Sequence, residues 1–353
     1  MAVGLKGRAI AAGFSAIAAS RADRWLAPLA RGRGLILTFH HVRPASTDPV
    51  QPNALLSVTP EHLDRTLTLV RELGFAIVPL GEVPGRLAAG RDGEPFCVLT
   101  FDDGYRDNRD HALPVLRRHD APWTLFVTAD YASGHGRLWW LELEEVVRRR
   151  DTLSVPAEGG PARELPARTP EEKATAFAAA YSALRSGPED VLRDTIAGWC
   201  AELGIDVTEL VRENCMGWDE LAVLARDPAL TIGAHTLTHP MLAKHDEGRA
   251  WLEIEGGRAA IAEKLGVAPR HVSYPVGDPT SAGPREFRLA VQAGYETAVT
   301  TRPGHLFPEH ARHLHALPRV SVNGLYQSEA AMRALLSGVP FLLWNRFRRV
   351  NVG

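Results

Sequence analysis

The chain has 353 residues, of which 45% are apolar, so it can bury a full core and is expected to form one large domain with an insertion. Its formal net charge of −2 gives no overall electrostatic attraction to nucleic acid. The three cysteines, Cys97, Cys200 and Cys215, are irregularly spaced and support neither a disulfide framework nor a thiolate zinc site.

Residues 1–33 predict an amphipathic helical segment. Lys6 and Arg8 precede the apolar stretch Ala9–Ala19, which superficially resembles a signal peptide. This stretch is mostly alanine and leads directly into arginines, so we favour a helix of a cytoplasmic protein over a secretion signal. We expect no transmembrane helix, because no apolar run reaches the roughly 18 residues that one requires.

Eight short apolar segments bounded by Gly, Pro or Asp have the composition of β-strands. They are Leu35–Phe39, Phe75–Val78, Phe96–Phe101, Thr124–Thr128, Leu230–Ala234, His271–Tyr274, Glu296–Thr300 and Ala316–Val322. Segments with helical periodicity, such as Pro60–Leu73 and Gly248–Leu265, lie between most of them. The alternation predicts an α/β fold over residues 34–325, a deformed (β/α) barrel of seven or eight parallel strands.

Residues 138–215 interrupt this alternation. They contain no convincing strand but do contain helical runs such as Pro170–Leu184, which predict a helical insertion over the barrel mouth. Trp139 and Trp140 open the insertion, and the leucines beside them favour a core role for the pair over stacking on a sugar ring. Trp140 remains a candidate substrate contact.

Two adjacent carboxylates, Asp102 and Asp103, follow the predicted strand Phe96–Phe101. Neighbouring side chains in a strand point to opposite faces, so two consecutive acids at its end can serve two roles, one binding a metal and the other facing a substrate. An Asp-Asp-Gly tripeptide taken alone is more often a solvated turn.

A histidine pair, His235 and His239, follows another predicted strand. Imidazoles four residues apart can point to one side of a helical turn, and neutral imidazole suits zinc and its first-row neighbours. Such a pair alone is more often structural. One carboxylate and two imidazoles together have the composition of a hydrolytic metal site with open positions.

These segments resemble a known family. Thr100–Gly104 and His235–His239 are similar to the first two motifs of the polysaccharide deacetylases with the nodulation-protein-B (NodB) homology domain, the family-four carbohydrate esterases. Ser273–Gly277 resembles the segment that forms one wall of that family's site, which implies substrate contacts for Tyr274 and Pro275. The resemblance implies that Asp103, His235 and His239 bind zinc, with nickel or cobalt as alternatives.

The resemblance also implies that Asp102 is the general base and that the backbone N–H of Val276 stabilises the oxyanion. An amide resists attack by neutral water, so a metal that lowers the pKa of water and polarises the carbonyl suits this chemistry. The preorganised N–H would act on the charge that develops on the oxygen.

The chain departs from the family pattern at two positions. Many members have an arginine where Ser273 stands, which orients the catalytic aspartate, and Arg319 is the candidate replacement. Arg319 also stands where the usual C-terminal Leu-x-His motif has its general-acid histidine, although His313 and His315 lie nearby.

An alternative general acid lies near the N-terminus, in the segment Leu37–Val42. Its paired histidines resemble the permuted branch of the family, which includes exopolysaccharide N-deacetylases and has the acid histidine on the first strand. His40 occupies the matching position. The alternative interpretation of His40 is a buried, hydrogen-bonded histidine at a strand end.

The C-terminal segment, residues 326–353, is predicted to form a helix and a tail in which aromatic residues and arginines alternate. This composition is compatible with peripheral contact with the inner membrane surface. The other interpretation is that both terminal helices pack on the barrel and their arginines are solvated.

We therefore expect a hydrolase that removes an N-acetyl group from an amino sugar of a polysaccharide or its precursor. Two alternatives stay open. One is a different amide hydrolase on this scaffold, such as a lipid-linked amino-sugar deformylase or a cyclic-imide hydrolase. The other is a catalytically silent carbohydrate-binding barrel, although the candidate base, acid and metal ligands argue against it.

Overall fold

The computed structural model describes residues 5–90, 93–157 and 160–352. Residues 1–4 of the predicted N-terminal segment, residues 158–159 of the insertion and Gly353 of the predicted tail lie outside the described residues. The strands are β1 Gly34–Phe39, β2 His41–Val42, β3 Ser57–Val58, β4 Ala76–Ile77, β5 Phe96–Phe101, β6 Trp123–Val127, β7 Thr152–Ala157, β8 Gly160–Pro166, β9 Leu230–Ala234, β10 His271–Ser273, β11 Thr297–Pro303 and β12 Leu317–Ser321. The α-helices are α1 Leu5–Ala19, α2 Ala22–Trp25, α3 Ala27–Ala30, α4 Pro60–Glu72, α5 Val83–Ala88, α6 Leu113–Arg118, α7 Ala129–Ala132, α8 Trp139–Arg149, α9 Pro170–Ser186, α10 Glu189–Glu202, α11 Val207–Asn214, α12 Trp218–Leu224, α13 Glu247–Leu265, α14 Pro284–Gln292, α15 Glu329–Ser337 and α16 Val339–Trp344.

Seven parallel strands form a closed barrel. Their order is β1-β12-β11-β10-β9-β6-β5, and a parallel ladder between β5 and β1 closes the ring. The short strand β4 pairs with β5 as an eighth strand outside the ring. This confirms the predicted deformed α/β barrel and all eight predicted strands.

Strand alternation places the site at the barrel mouth. Ile36 and Val98 belong to the cluster of buried side chains that includes Phe126 and Leu317, whereas their neighbours in β1 and β5 pack against the surrounding helices. β1 and β5 pair in register from Gly34 opposite Phe96 to Phe39 opposite Phe101. The residues that follow, His40 and Asp102, therefore lie side by side at the same end of the barrel.

The insertion contains helices α8 to α11 around a second apolar core. It also contains an antiparallel hairpin of β7 and β8, so the prediction that it lacks strands is wrong. Prolines at 156, 161 and 166 argue against strands in the sequence. A two-stranded hairpin tolerates them because its outer backbone positions need no ladder partner.

The terminal helices pack on the barrel and on each other. Phe14 of α1 is buried and contacts the Tyr326 ring edge-to-face at 5.3 Å, and α1 lies against α15. Within the described ranges, none of the helices has the length and apolar character needed to cross a bilayer.

Candidate active site

The side chains of Asp102 and Asp103 point in different directions because the backbone turns sharply after β5. Asp102 continues the inward face of the strand, and its N–H donates to the Phe39 carbonyl at 3.1 Å. Asp103 and Gly104 both have positive φ, 73° and 69°. An aspartate in the left-handed region of backbone conformation is uncommon. This turn directs the Asp103 carboxylate toward His235 and His239.

Asp103, His235 and His239 meet at the floor of the barrel mouth. Nε2 of His235 and Nε2 of His239 lie 3.4 Å and 3.3 Å from Oδ1 of Asp103. One donor atom from each residue lies within 4.8 Å of the other two, and all three side chains are buried. The structure therefore brings together the three predicted metal ligands in a cluster that can hold an ion.

The histidine ring orientations are set by their surroundings. Nδ1 of His235 lies 2.7 Å from the Ser273 carbonyl oxygen, which fixes the ring with Nε2 facing Asp103. The ring of His239 packs near Trp140, with centroids 5.1 Å apart. The backbone N–H of His239 donates to the Thr236 hydroxyl at 3.1 Å.

The loop that carries the histidines depends on helix α13. Glu253, a buried acid, accepts hydrogen bonds from the Leu237 and Thr238 N–H groups at 3.1 and 2.8 Å. One turn later, a Cβ on Gly257 would lie 2.5 Å from the Thr236 carbonyl carbon. The sequence analysis did not identify these two residues. The sequence signal for them is that an acid and a glycine stand on the apolar face of a helix. A buried acid there requires hydrogen-bond donors, and a glycine there allows another backbone to approach closely.

The insertion also supports this loop. Glu189 of α10 is buried, accepts from the Met241 N–H at 2.6 Å and pairs with Arg193. Arg193 in turn donates to the His239 carbonyl oxygen at 2.9 Å. The insertion therefore helps to position the cluster of Asp103, His235 and His239.

Arg319 lies against Asp102, as predicted. Its two terminal nitrogens donate to the two carboxylate oxygens at 2.8 and 2.7 Å, and its Nε donates to the Thr300 carbonyl oxygen at 2.9 Å. Ser273 adds its hydroxyl, 3.3 Å from Oδ2 of Asp102 and 3.0 Å from the guanidinium. All these groups are buried, so the carboxylate has a fixed orientation.

The charges around the two acids keep both ionised. Burial alone would raise the pKa of Asp102, but Arg319, with His235 and His40, outweighs burial and lowers it below the usual value. Burial would also raise the pKa of Asp103, and its interactions with His235 and His239 hold it well below the usual range. A carboxylate is thus available next to the cluster at neutral pH.

The two N-terminal histidines separate as strand geometry predicts. His40 lines the cavity, and neither of its ring nitrogens has a protein partner among the described residues. His41 is buried on the other side, with Nδ1 2.6 Å from the Asp107 carboxylate and its ring stacked on Tyr105. Burial lowers the pKa of His40, and Asp103 and Asp102 oppose that effect.

The C-terminal histidines do not reach the cavity. His315 hydrogen-bonds through Nε2 to the Tyr295 carbonyl oxygen at 2.8 Å, and neither His313 nor His315 lines the cavity. The structure therefore places only His40 of the four candidate acids at the barrel mouth.

Two of the predicted substrate contacts lie away from the cavity in this structure. Tyr274 is buried, packs against Phe287 and donates its hydroxyl hydrogen to the His315 carbonyl oxygen at 3.0 Å. Pro275 is also buried, and neither residue lines the cavity. The reason is strand alternation: Ser273 points inward to Asp102, so Tyr274 must point outward.

Val276 does line the cavity, through an unusual backbone conformation. Its φ is +61°, and its carbonyl oxygen accepts from the Thr301 hydroxyl at 2.6 Å. The Val276 N–H has no hydrogen-bond partner in the part of the chain that the structure describes. A β-branched residue at positive φ is strained, and such strain concentrates at functional sites.

The cavity above these residues has a volume of about 520 Å³. Its floor is polar and contains His40, Asp102, Arg319 and the cluster of Asp103, His235 and His239. The facing wall is mostly apolar and is formed by Pro52, Leu55, Leu56, Trp139, Trp140, Ala174, Phe177, Ala178 and Tyr181. Trp140 is both packed in the insertion core and part of this wall, so the two interpretations of the tryptophan pair are compatible.

The contribution of α9 to the wall was not predicted. Ala174, Phe177, Ala178 and Tyr181 follow one face of this helix at spacings of three and four residues. The same pattern also describes a helix packed on a core, so the sequence cannot distinguish the two.

Comparison with solved structures shows the same fold. The Streptococcus pyogenes deacetylase PplD, solved in complex with acetate, is 17% identical, with a TM-score of 0.53 over 82% of this chain and 92% of that chain. IcaB from Ammonifex degensii is 17% identical, with a TM-score of 0.51 over 87% and 97%. A de-N-acetylase from Aggregatibacter actinomycetemcomitans is 12% identical, with a TM-score of 0.53 over 86% and 99%.

Comparison with curated proteins gives no match. The family model described as polysaccharide deacetylase matches residues 89–298, more than half of the chain, including both aspartates and both cluster histidines. His40 and Arg319 lie outside the matched residues. With the barrel and the clustered motif residues, this match shows that the chain belongs to the polysaccharide deacetylase family, hydrolases that act on carbon–nitrogen bonds.

Proposed function

We propose that the chain hydrolyses the N-acetyl group of an amino sugar in a polysaccharide or its precursor, in a reaction that depends on a divalent metal ion. One observation carries this proposal. The ionised carboxylate of Asp102, held by Arg319, lines the same cavity floor as the cluster of Asp103, His235 and His239.

The cluster fits a metal ion. Oδ1 of Asp103 is buried and, among the residues described, has no hydrogen-bond partner, while two imidazole nitrogens face it. A buried carboxylate oxygen is costly unless something binds it. One carboxylate with two imidazoles suits zinc best, and nickel or cobalt also accept this donor set. A bound ion supplies Lewis-acid chemistry, which lowers the pKa of water and polarises a carbonyl.

Asp102 is assigned to accept the proton of the attacking water. Each carboxylate oxygen can accept about two hydrogen bonds. Oδ2 already accepts from Arg319 and Ser273, whereas Oδ1 accepts only from Arg319 within the described residues. The free acceptor position on Oδ1 is the one left for water. Arg319 acts as a positioning residue, because it orients this oxygen and keeps it ionised.

His40 is assigned to donate a proton to the departing amine. Expulsion of an amine anion is prohibitively costly, and a protonated imidazole can supply the proton. His40 lines the cavity with both ring nitrogens unbound among the described residues, whereas His41 and His315 are hydrogen-bonded elsewhere.

The oxyanion is assigned to the backbone of Val276. Val276 lines the cavity, and its N–H has no hydrogen-bond partner in the described ranges. Its φ is positive, and its carbonyl oxygen accepts from the Thr301 hydroxyl. Such a preorganised donor stabilises charge that develops on the carbonyl oxygen.

The apolar wall favours one second candidate, release of an acyl group from an amino sugar carried on a lipid. Leu55, Leu56 and Phe177 offer no hydrogen bonds to sugar hydroxyls, although Trp140 can stack on the apolar face of a pyranose ring. An alkyl chain would bury this wall without leaving hydroxyls unpaired.

The test compares two substrates with the same enzyme. Acetate release from N-acetylated chito-oligosaccharide and acyl release from an N-formylated amino-sugar glycolipid are measured, each with chelator and after zinc is restored. Metal-dependent release from the oligosaccharide supports the first proposal. Release from the glycolipid alone supports the second. Binding of the oligosaccharide without release from either substrate would contradict both and indicate a silent barrel.

A further inference from the structure

Helices α2, α3 and α16 and the residues just after them carry a group of exposed apolar side chains. Trp25, Leu29, Leu343, Trp344 and Phe347 lie on these helices or directly after them, and their side chains are between 56% and 75% exposed. The three helices are neighbours: α3 contacts both α2 and α16. Five exposed large apolar side chains on or just after adjacent short helices are more than the isolated exposed residues that a protein surface normally carries.

The structure holds these helices together closely. Gly338, between α15 and α16, has φ of +79°, and a Cβ there would lie 2.5 Å from the Ala30 carbonyl oxygen at the end of α3. Gly338 is therefore needed both for its conformation and for this close approach. Asn345, after α16, donates to the Pro303 carbonyl oxygen at 2.8 Å. These contacts fix α16 against α3 and against the end of β11.

Arginines flank these apolar residues in the sequence. Arg21, Arg24, Arg346 and Arg348 are exposed, and in the part of the chain that the structure describes none of their guanidinium groups pairs with a carboxylate. Arg349 contacts Glu309 at 3.8 Å. Asp23 is the only acid in residues 21–30 and 339–352, although the whole chain has a net charge of −2. Positive charge is therefore concentrated beside the exposed apolar groups.

We propose that this surface, defined by Trp25, Leu29, Leu343, Trp344, Phe347 and the four unpaired arginines, binds an anionic phospholipid bilayer. Aromatic and aliphatic side chains would enter the headgroup region while the arginines contact lipid phosphates. The unpaired positive charge favours an anionic bilayer over a second copy of this chain, because two such surfaces would repel each other.

Binding at this surface would determine which end of the barrel faces the bilayer. α3 leads into the amino-terminal end of β1, whereas His40, Asp102 and the metal cluster follow the carboxyl ends of the strands. A bilayer bound at α3 would therefore leave the cavity open to a substrate that approaches from the aqueous side. This binding does not depend on the proposed hydrolysis.

The test measures co-sedimentation of the full chain with vesicles of phosphatidylcholine alone and with vesicles that also contain phosphatidylglycerol. We expect binding to the anionic vesicles only, and release at high salt. An arginine near an anionic surface contributes about 1 kcal/mol to the free energy of membrane binding. The double variant Arg346→Gln with Arg348→Gln should therefore weaken partitioning roughly tenfold or more. Leu29→Ser with Leu343→Ser should weaken it similarly.

Matched controls come from other surfaces of the same chain. Val223 and Val267, 65% and 73% exposed, serve for the apolar pair as Val223→Ser with Val267→Ser. Arg163→Gln with Arg226→Gln serves for the charge pair. Neither control should change partitioning, and all variants should unfold at the same temperature. Absence of binding to anionic vesicles, or equal loss in the controls, would overturn the proposal. So would a concentration-dependent dimer that only the Leu29 and Leu343 substitutions abolish.

Discussion

Arg319 holds both carboxylate oxygens of Asp102, at 2.7 and 2.8 Å, across 217 residues of sequence. β1 lies between their strands in the sheet, so the guanidinium reaches across the barrel mouth to the end of β5. Both side chains are buried, and loss of either partner would leave an uncompensated charge that costs about 3–5 kcal/mol. The pair therefore links the stability of the mouth to the ionisation of the proposed base.

The variant Arg319→Lys tests this link. Lysine keeps the charge but cannot form two parallel hydrogen bonds, so the carboxylate should lose its orientation and its pKa should rise. We expect turnover to fall at least about tenfold, since a misplaced catalytic group costs up to ~100-fold. Because the base must be ionised, the acid limb of the pH–rate profile should move to higher pH. Ser273→Ala, which removes one weaker contact, is the control and should shift the limb less. An unmoved acid limb in Arg319→Lys would argue against the positioning role.

The variant Asp102→Asn separates a base from a ligand. Asparagine keeps the shape of the side chain but cannot take a proton, so turnover should fall at least ~100-fold, the usual scale for general acid–base catalysis. Metal content, measured by elemental analysis of the purified protein, should stay that of the wild type. If metal and activity were lost together, Asp102 would be a ligand.

The variant His40→Ala tests the proposed acid. Burial lowers the pKa of His40, so the rate should decline with rising pH from below the ordinary histidine value of about 6.5. The variant should bind metal normally, lose turnover ~100-fold or more, and lose this alkaline limb. His313→Ala and His315→Ala are the controls and should retain the limb. His41→Ala should mainly lower stability, because it removes the contacts with Asp107 and Tyr105. A large loss at His313 or His315, with His40→Ala active, would restore the C-terminal acid.

His305 should make folding stability sensitive to acid. It is buried, its Nε2 lies 2.9 Å from the Leu335 carbonyl oxygen, and Nδ1 accepts from the Gly32 N–H at 3.3 Å. Burial lowers its pKa to about 4. A lowered folded-state pKa means that the stabilisation is complete above the unfolded value of about 6.5 and is lost as pH falls toward 4.

The loss attributable to His305 should reach about 2 kcal/mol near pH 5. Urea unfolding of the wild type at neutral and acid pH measures the total loss, to which other buried histidines contribute. His305→Gln should lose correspondingly less between the two conditions. An equal loss in the wild type and the variant would show that His305 does not titrate in this range.

Sequence patterns predict the floor of the site well because the barrel places strand ends together. Asp102, Asp103, His235 and His239 each follow a recognisable apolar strand, so a parallel barrel brings them to one end. The positions of His40 and Arg319 were also predictable, because both lie at strand ends and where the chain departs from the family pattern.

The supports of the site were harder to predict because they depend on contacts between distant elements. Glu253 and Glu189 hold the histidine loop from α13 and from the insertion, and nothing near them in sequence names their backbone partners. Tyr274 is a different case. Because Ser273 points inward to Asp102, strand alternation implies that the Tyr274 side chain points away from the cavity. The resemblance to the wall of the family's site suggested the opposite.

The central claim is that hydrolysis requires an ion held by Asp103, His235 and His239. The most direct measurement removes metal with a chelator, restores zinc stepwise, and follows bound metal and acetate release in the same sample. We predict that the rate rises in proportion to bound zinc up to one ion per chain. His239→Ala, which lacks one of the three ligands, should neither retain stoichiometric zinc nor recover activity. Full activity in metal-free protein, or stoichiometric zinc and full activity in His239→Ala, would contradict the account.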